Sequence, residues 1–229
     1  DDEIEELIRC YIRAARLAAD LGVDFVDIKH CHGYLLHEFL SAHTRPGRYG
    51  GSFENRTRIL REIIDGIRAD GNGIDIIVRL SAFDFVPFRP DPENSQPGKL
   101  GPGIPEVFSH CLPYRYGFGV NPDNPVDHDL TEATQFVALC AELGVKLVNL
   151  SAGSPYYNPH IQRPAAYPPS DGYQPAYDPL VDVERQIQAV RRIREAAPAG
   201  IAIAGCAYSC LLYTSPSPRD RTSSRMPSS

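Results

Sequence analysis

The chain alternates helix-period and strand-period segments four times, and the links between them are strongly lopsided. Apolar residues recur at helical spacing through Ile4, Leu7, Ile8, Tyr11, Ile12, Ala15 and Ala18. Gly22 ends that segment, and Val23-Asp24-Phe25-Val26-Asp27-Ile28 reads as a strand. A helix after Ser52 carries Ile59, Leu60, Ile63, Ile64 and Ile67 on one face, and residues 74–80 read as the next strand. Asp129-Leu130-Thr131-Glu132 reads as an acidic capping box opening a third helix, with a strand at residues 145–150 after Gly144. Asp178-Pro179 opens a fourth helix, with Pro at the favoured first position, and residues 201–204 form the fourth strand. This order predicts an α/β protein with parallel strands joined by crossover helices. Helix-to-strand links are a few residues long, whereas the strand-to-helix loops run roughly over 33–51, 82–128 and 151–177. All the long loops leave the C-terminal ends of the strands, so that end is the expected working face. Four strands make half a (β/α)8 barrel or most of a doubly wound sheet, and the pattern alone does not choose between them.

The 229 residues can hold one large domain or two small ones, and the charge of −6 does not favour nucleic acid or an anionic membrane as partner. No apolar run reaches the roughly 18 residues expected of a membrane span. Cysteines stand at 10, 31, 111, 140, 206 and 210 without CxxC spacing, which fits reduced thiols in a cytoplasmic compartment better than a disulfide framework. The only methionine is Met226, so residue 1 is not expected to be an ordinary start site. From about Leu211 the chain turns to Ser, Pro and Arg, and residues 210–229 are expected to be a disordered, non-native tail resembling translated sequencing adapter.

The densest chemistry lies in Asp27-Ile28-Lys29-His30-Cys31-His32-Gly33-Tyr34, at the end of the first strand. If strand alternation continues past Ile28, Lys29 and His32 both approach the mouth, where each can donate a hydrogen bond to a developing oxyanion. Tyr34 carries a phenol suited to proton delivery. His30, Cys31 and His32 have the residue types of a metal site, but neighbours on an extended chain point to opposite faces and chelate poorly. Arg79 is charged within an apolar strand and calls for an anionic or carbonyl partner, either a ligand or a structural carboxylate. Gly153 and Gly205 follow strands where small residues let a ligand approach the backbone. Tyr114, Tyr116, Phe118, Tyr156, Tyr157, Tyr167 and Tyr173 could wall a flat ligand or pack their loops onto the sheet.

HGYLLHEFLS (residues 32–41) followed by YGGSFENRTR (residues 49–58) resembles the signature of the Old Yellow Enzyme family, the NADH:flavin oxidoreductases. The likeness extends through VRLS at 78–81 to about Gly205. It implies that residues 1–209 are a partial FMN-binding (β/α)8 TIM barrel, lacking early strands and the eighth. It also implies a flavoprotein oxidoreductase that reduces conjugated carbonyl compounds or similar electron-poor alkenes with NADH or NADPH. By that resemblance Lys29 and His32 hold the carbonyl oxygen of a small-molecule substrate. Tyr34 supplies the proton, and Arg79, with Gly153 and Gly205, borders the FMN. Lys29 departs from the family, which has His there, and Arg45-Pro46-Gly47-Arg48 is shorter than the corresponding run. Two alternatives stay open: a metal- or phosphate-dependent lyase or hydrolase using His30, His32 and loop acids, or a fragment inactive because its barrel does not close. The full-length parent could self-associate.

Overall fold

A computed structural model describes residues 2–164 and 172–206. Tyr167, Cys210 and the expected tail at 210–229 lie outside the described residues, as do residues 207–209 of the expected barrel domain. The elements run α1 (Asp2–Asp20), β1 (Phe25–His30), α2 (Leu35–Leu40), α3 (Phe53–Ala69), β2 (Asp75–Ser81), β3 (Phe88–Pro90), β4 (Gly103–Pro105), α4 (Thr131–Glu142), β5 (Leu147–Ser151), α5 (Pro159–Gln162), α6 (Pro179–Ala196) and β6 (Ala202–Gly205). The four predicted helices and four predicted strands are present, shifted by one or two residues at most ends. Four pieces fall inside what reads as loop: the short helices α2 and α5, an antiparallel hairpin of β3 with β4, and a single 3-10 turn at Ser109–Cys111.

Ser52 caps α3 by accepting the Asn55 N–H, and Asp178 caps α6 by accepting the Leu180 N–H. The box expected at α4 does not form. Asp129 Oδ1 accepts the Thr131 N–H, while Glu132 turns away to the buried Arg56 guanidinium. Arg56 also donates to the Gly51 and Leu40 carbonyls, so one side chain ties the α2–α3 loop to α4.

The strand order is β1-β2-β5-β6, all parallel and in chain order. A doubly wound sheet reverses its order at a switch point and carries helices on both faces. Here only one face is covered. Ile28, Ile76, Val78, Leu80, Val148 and Leu150 enter one core cluster with Ile59, Ile63, Ile64, Phe136 and Ile193 of the helices. The alternate residues Asp27, Lys29, Ile77, Arg79, Leu147 and Asn149 stay half-buried on the opposite face. Sequential parallel strands with helices on one side form an arc of a barrel, and the half-buried face is its interior.

Candidate active site

Strand register assembles the interior face in layers. Lys29 pairs with Arg79, Arg79 with Asn149, and Asn149 with Ala204, which makes one row across all four strands. In the next layer toward the C-terminal ends, Ser81 pairs with Ser151. Arg79 forms an ion pair with Asp27 of the neighbouring strand, so the anionic partner it needs is supplied in part by the chain itself. That pairing uses a terminal nitrogen. Arg79 Nε, Asp27 Oδ1 and Asn149 Oδ1 are buried and have no hydrogen-bond partner among the described residues. Buried donors and acceptors of this kind are normally satisfied. Arg79 and Asn149 share one row and Asp27 lies in the layer before it, so the interior face presents one unpartnered donor and two unpartnered acceptors.

Strand alternation does not continue to His32 as expected. β1 ends at His30, and His32 takes φ +63°, a left-handed conformation uncommon for a residue with a side chain. Three bonds secure the turn. The His32 N–H donates to Ser81 Oγ at 3.0 Å, Ser81 Oγ donates to the Gly153 carbonyl at 3.1 Å, and the Gly33 N–H donates to His37 Nδ1 at 2.9 Å. The turned imidazole lies across the strand ends, with Nε2 2.7 Å from Ser151 Oγ. Burial, and then the charges of Lys29, Arg79 and Arg163, push its pKa down to about 4, so His32 is neutral at pH 7 and acts as a hydrogen-bonding group. His30 points the other way, with its ring 5.4 Å from that of Phe136 on the helix side. The two imidazoles therefore do not converge, and no group of three potential metal-ligating side chains occurs among the described residues.

Lys29 Nζ sits 3.2 Å from the centroid of the Tyr34 ring, a cation–π contact. The Tyr34 hydroxyl accepts a hydrogen bond from Tyr156 at 3.0 Å. Lys29, His32 and Tyr34 thus gather at one mouth, with Arg79 one strand over. Gly153 adopts φ +60°, and a Cβ there would meet Asn158 O and Gln162 N at 3.3 Å, so its smallness serves the turn into α5. Gly205 ends β6 opposite Leu150 and is half-buried. Among the described aromatic residues of these loops, Phe118 and Tyr173 are buried, and Tyr156 is hydrogen-bonded to a candidate site residue, Tyr34. Sequence reading did not single out Asn149 or the bond from Ser151 to His32. Register with Arg79 is the signal that would have found Asn149.

Residues 1–91 match the NADH:flavin oxidoreductase / NADH oxidase family. Over 90 residues the chain is 46% identical to an NADH:flavin oxidoreductase of Gibberella zeae, covering 38% of this chain and 22% of that protein. Over 124 residues it is 45% identical to 12-oxophytodienoate reductase 1 of Oryza sativa subsp. japonica, covering 53% of this chain and 32% of that protein. The chain therefore spans a third or less of the length of these relatives. Among solved structures, a 2-naphthoyl-CoA reductase complex superposes with a TM-score of 0.55 at 21% identity, over 89% of this chain and 23% of that one. The old yellow enzyme homologue from Zymomonas mobilis gives 0.50 at 20% identity, over 90% and 42%. At such identities these structures speak for the fold, and they extend it across nearly all of the described chain.

Proposed function

We propose that the protein, whose residues 1–91 match the NADH:flavin oxidoreductase / NADH oxidase family, is an FMN-dependent oxidoreductase of ene-reductase type, fed by NADH or NADPH. Its substrates are small conjugated carbonyl compounds or similar electron-poor alkenes. The observation that carries this reading is the interior row, in which Arg79 Nε and Asn149 Oδ1 lie buried and unpartnered below the His32–Tyr34 mouth. A flavin fits there by donor set. Arg79 would face the carbonyl edge, where positive charge favours the electron-rich reduced ring, and Asn149 Oδ1 would accept the ring N–H. Gly153 and Gly205 would border the group. When bound, it supplies hydride transfer.

The chain's own residues do the rest. Neutral His32, oriented by Ser151, offers a hydrogen bond to the substrate carbonyl oxygen, and Lys29 adds positive charge from the same mouth. Stabilising negative charge on that oxygen makes the distant alkene carbon accept hydride. Tyr34 then supplies the proton to the adjacent carbon. We place the protein in a reducing, cytoplasmic compartment, as a binder of small molecules and not of nucleic acid, with self-association of the full-length form. No helix among the described residues is long and apolar enough to cross a membrane.

The test is a visible absorption spectrum of the full-length protein, taken before and after anaerobic NADH or NADPH. A flavin band that bleaches and recovers on adding an enone is the expected result. No flavin band after reconstitution with FMN would overturn the reading.

A further inference from the structure

Tyr34 is held from two sides by residues that come from opposite ends of the site. Its ring face meets the Lys29 ammonium at 3.2 Å, and its oxygen accepts the Tyr156 hydroxyl at 3.0 Å. The two phenol rings lie 6.0 Å apart and tilt by 55°. Tyr156 belongs to the loop after β5, and that loop is anchored. The Tyr156 N–H donates to Ser154 Oγ at 3.2 Å, and Ser154 is fully buried against Gly33. Exposure rises along the pair, from 45% at Tyr34 to 69% at Tyr156. Both rings are exposed, Tyr156 more so, and their hydroxyls are joined in one chain that ends at the mouth.

Each hydroxyl can serve as donor or acceptor, as a relay requires; with Tyr156 donating, the Tyr34 proton is left for another acceptor. The ammonium on the ring face and the second hydroxyl at the oxygen are the two polar groups in contact with Tyr34. The Lys29 ammonium reaches Tyr34 from its own strand end. In the same row Lys29 lies beside Arg79, whose charge is met in part by Asp27.

We propose that Tyr156 relays a proton to Tyr34 and that Lys29 acts through Tyr34 as a positioning residue. This rests on the ene-reductase reading. In the step, the electron pair of the substrate enolate takes the Tyr34 proton, forming a C–H bond as the Tyr34 O–H bond breaks. The Tyr156 proton passes to the Tyr34 phenolate, and water reprotonates Tyr156. One proton moves from solvent to carbon, and no electrons are exchanged with either phenol.

Two measurements test it. In protein labelled with 13C at the tyrosine ζ carbon, the Tyr34 signal is the one lost in Tyr34→Phe. It should move in Tyr156→Phe and in Lys29→Met, and return in Lys29→Arg, which keeps the cation. In full-length protein loaded with FMN, Tyr156→Phe should lower kcat for an enone on the order of tenfold, the equivalent of one modest hydrogen bond. KM should be unchanged and the solvent isotope effect larger. Reduction of ferricyanide, which takes electrons and no proton, should keep its rate. An unmoved Tyr34 signal, or unchanged enone turnover by a flavin-loaded variant, overturns the relay and leaves the ene-reductase reading standing. Failure of the parent protein to take up FMN overturns both.

Discussion

Three imidazoles cluster around the turn at His32, and all are held neutral by burial. His30 is pushed down to about 3, and His32 and His37 to about 4. A histidine whose folded pKa is depressed stabilises the fold above its unfolded value near 6.5, and the contribution is lost as pH falls toward the folded value. For the fully buried His30 and His37, each should weaken the fold by about 1.4 kcal/mol per pH unit between pH 6.5 and about 4. Urea titrations across that range should show the decline. His37→Gln should reduce it, although its Nδ1 acceptor for the Gly33 N–H must be replaced by the amide oxygen. Asp84 works in the opposite sense. Burial pushes its carboxyl up to about 7, against the hydrogen bonds from Asn158 and the Phe85 N–H. A raised acid contributes stability that is complete below its unfolded value near 3.9 and disappears as pH rises through 7. Asp84→Asn keeps an oxygen for both donors, so its advantage over the parent should grow from about pH 4 to pH 7 and then level off. A constant difference would show that Asp84 does not titrate in this window.

Among the elements, those with side-chain caps are legible in the sequence. Ser52 and Asp178 mark the starts of α3 and α6 because each hydroxyl or carboxylate has a local N–H to accept. The start of α4 was misread in its chemistry, since Glu132 finds a stronger partner in Arg56, 76 residues earlier, than in its own helix terminus. Helix α2 escaped notice because it has six residues and no side-chain cap, and β3 and β4 have three residues each. Such short pieces carry too few periods to be told from loop. Arg56 is the element-scale weak point. Replacing it with Met should leave Glu132 and two carbonyls without their donor and cost about 3–5 kcal/mol in urea denaturation. Lys should rescue little, because a single ammonium cannot reproduce the forked contacts. Full stability of Arg56→Met would show that the α2–α3 loop does not depend on this tie.

For the whole molecule, the repeating αβ pattern indicated parallel strands but not their closure. Helix coverage of one sheet face decides for a barrel arc, and that is a property of packing between segments far apart in the chain. The same distance hid the working parts of the mouth. Ser151 reaches His32 across 119 residues, and Tyr156 reaches Tyr34 across 122. Local motifs named His32 and Tyr34, while their partners required the fold. The two sheet faces also predict a division of effects. Val78→Ala, on the helix side, should lower stability by about 2 kcal/mol and leave FMN affinity unchanged. Arg79→Gln, on the interior side, should weaken FMN about tenfold with little change in stability. Flavin fluorescence titration and urea denaturation of both variants would separate these outcomes, and equal effects of the two would deny the division.

Neighbouring positions in β1, β2 and β5 therefore face different surroundings. One set of alternate positions is held by the core, and the other meets whatever enters the barrel mouth. Substitutions in one set can alter the chemistry of the mouth while the other set preserves the scaffold. A mutagenesis library confined to positions 27, 29, 77, 79, 147 and 149 would explore new reactivity with few unfolded members.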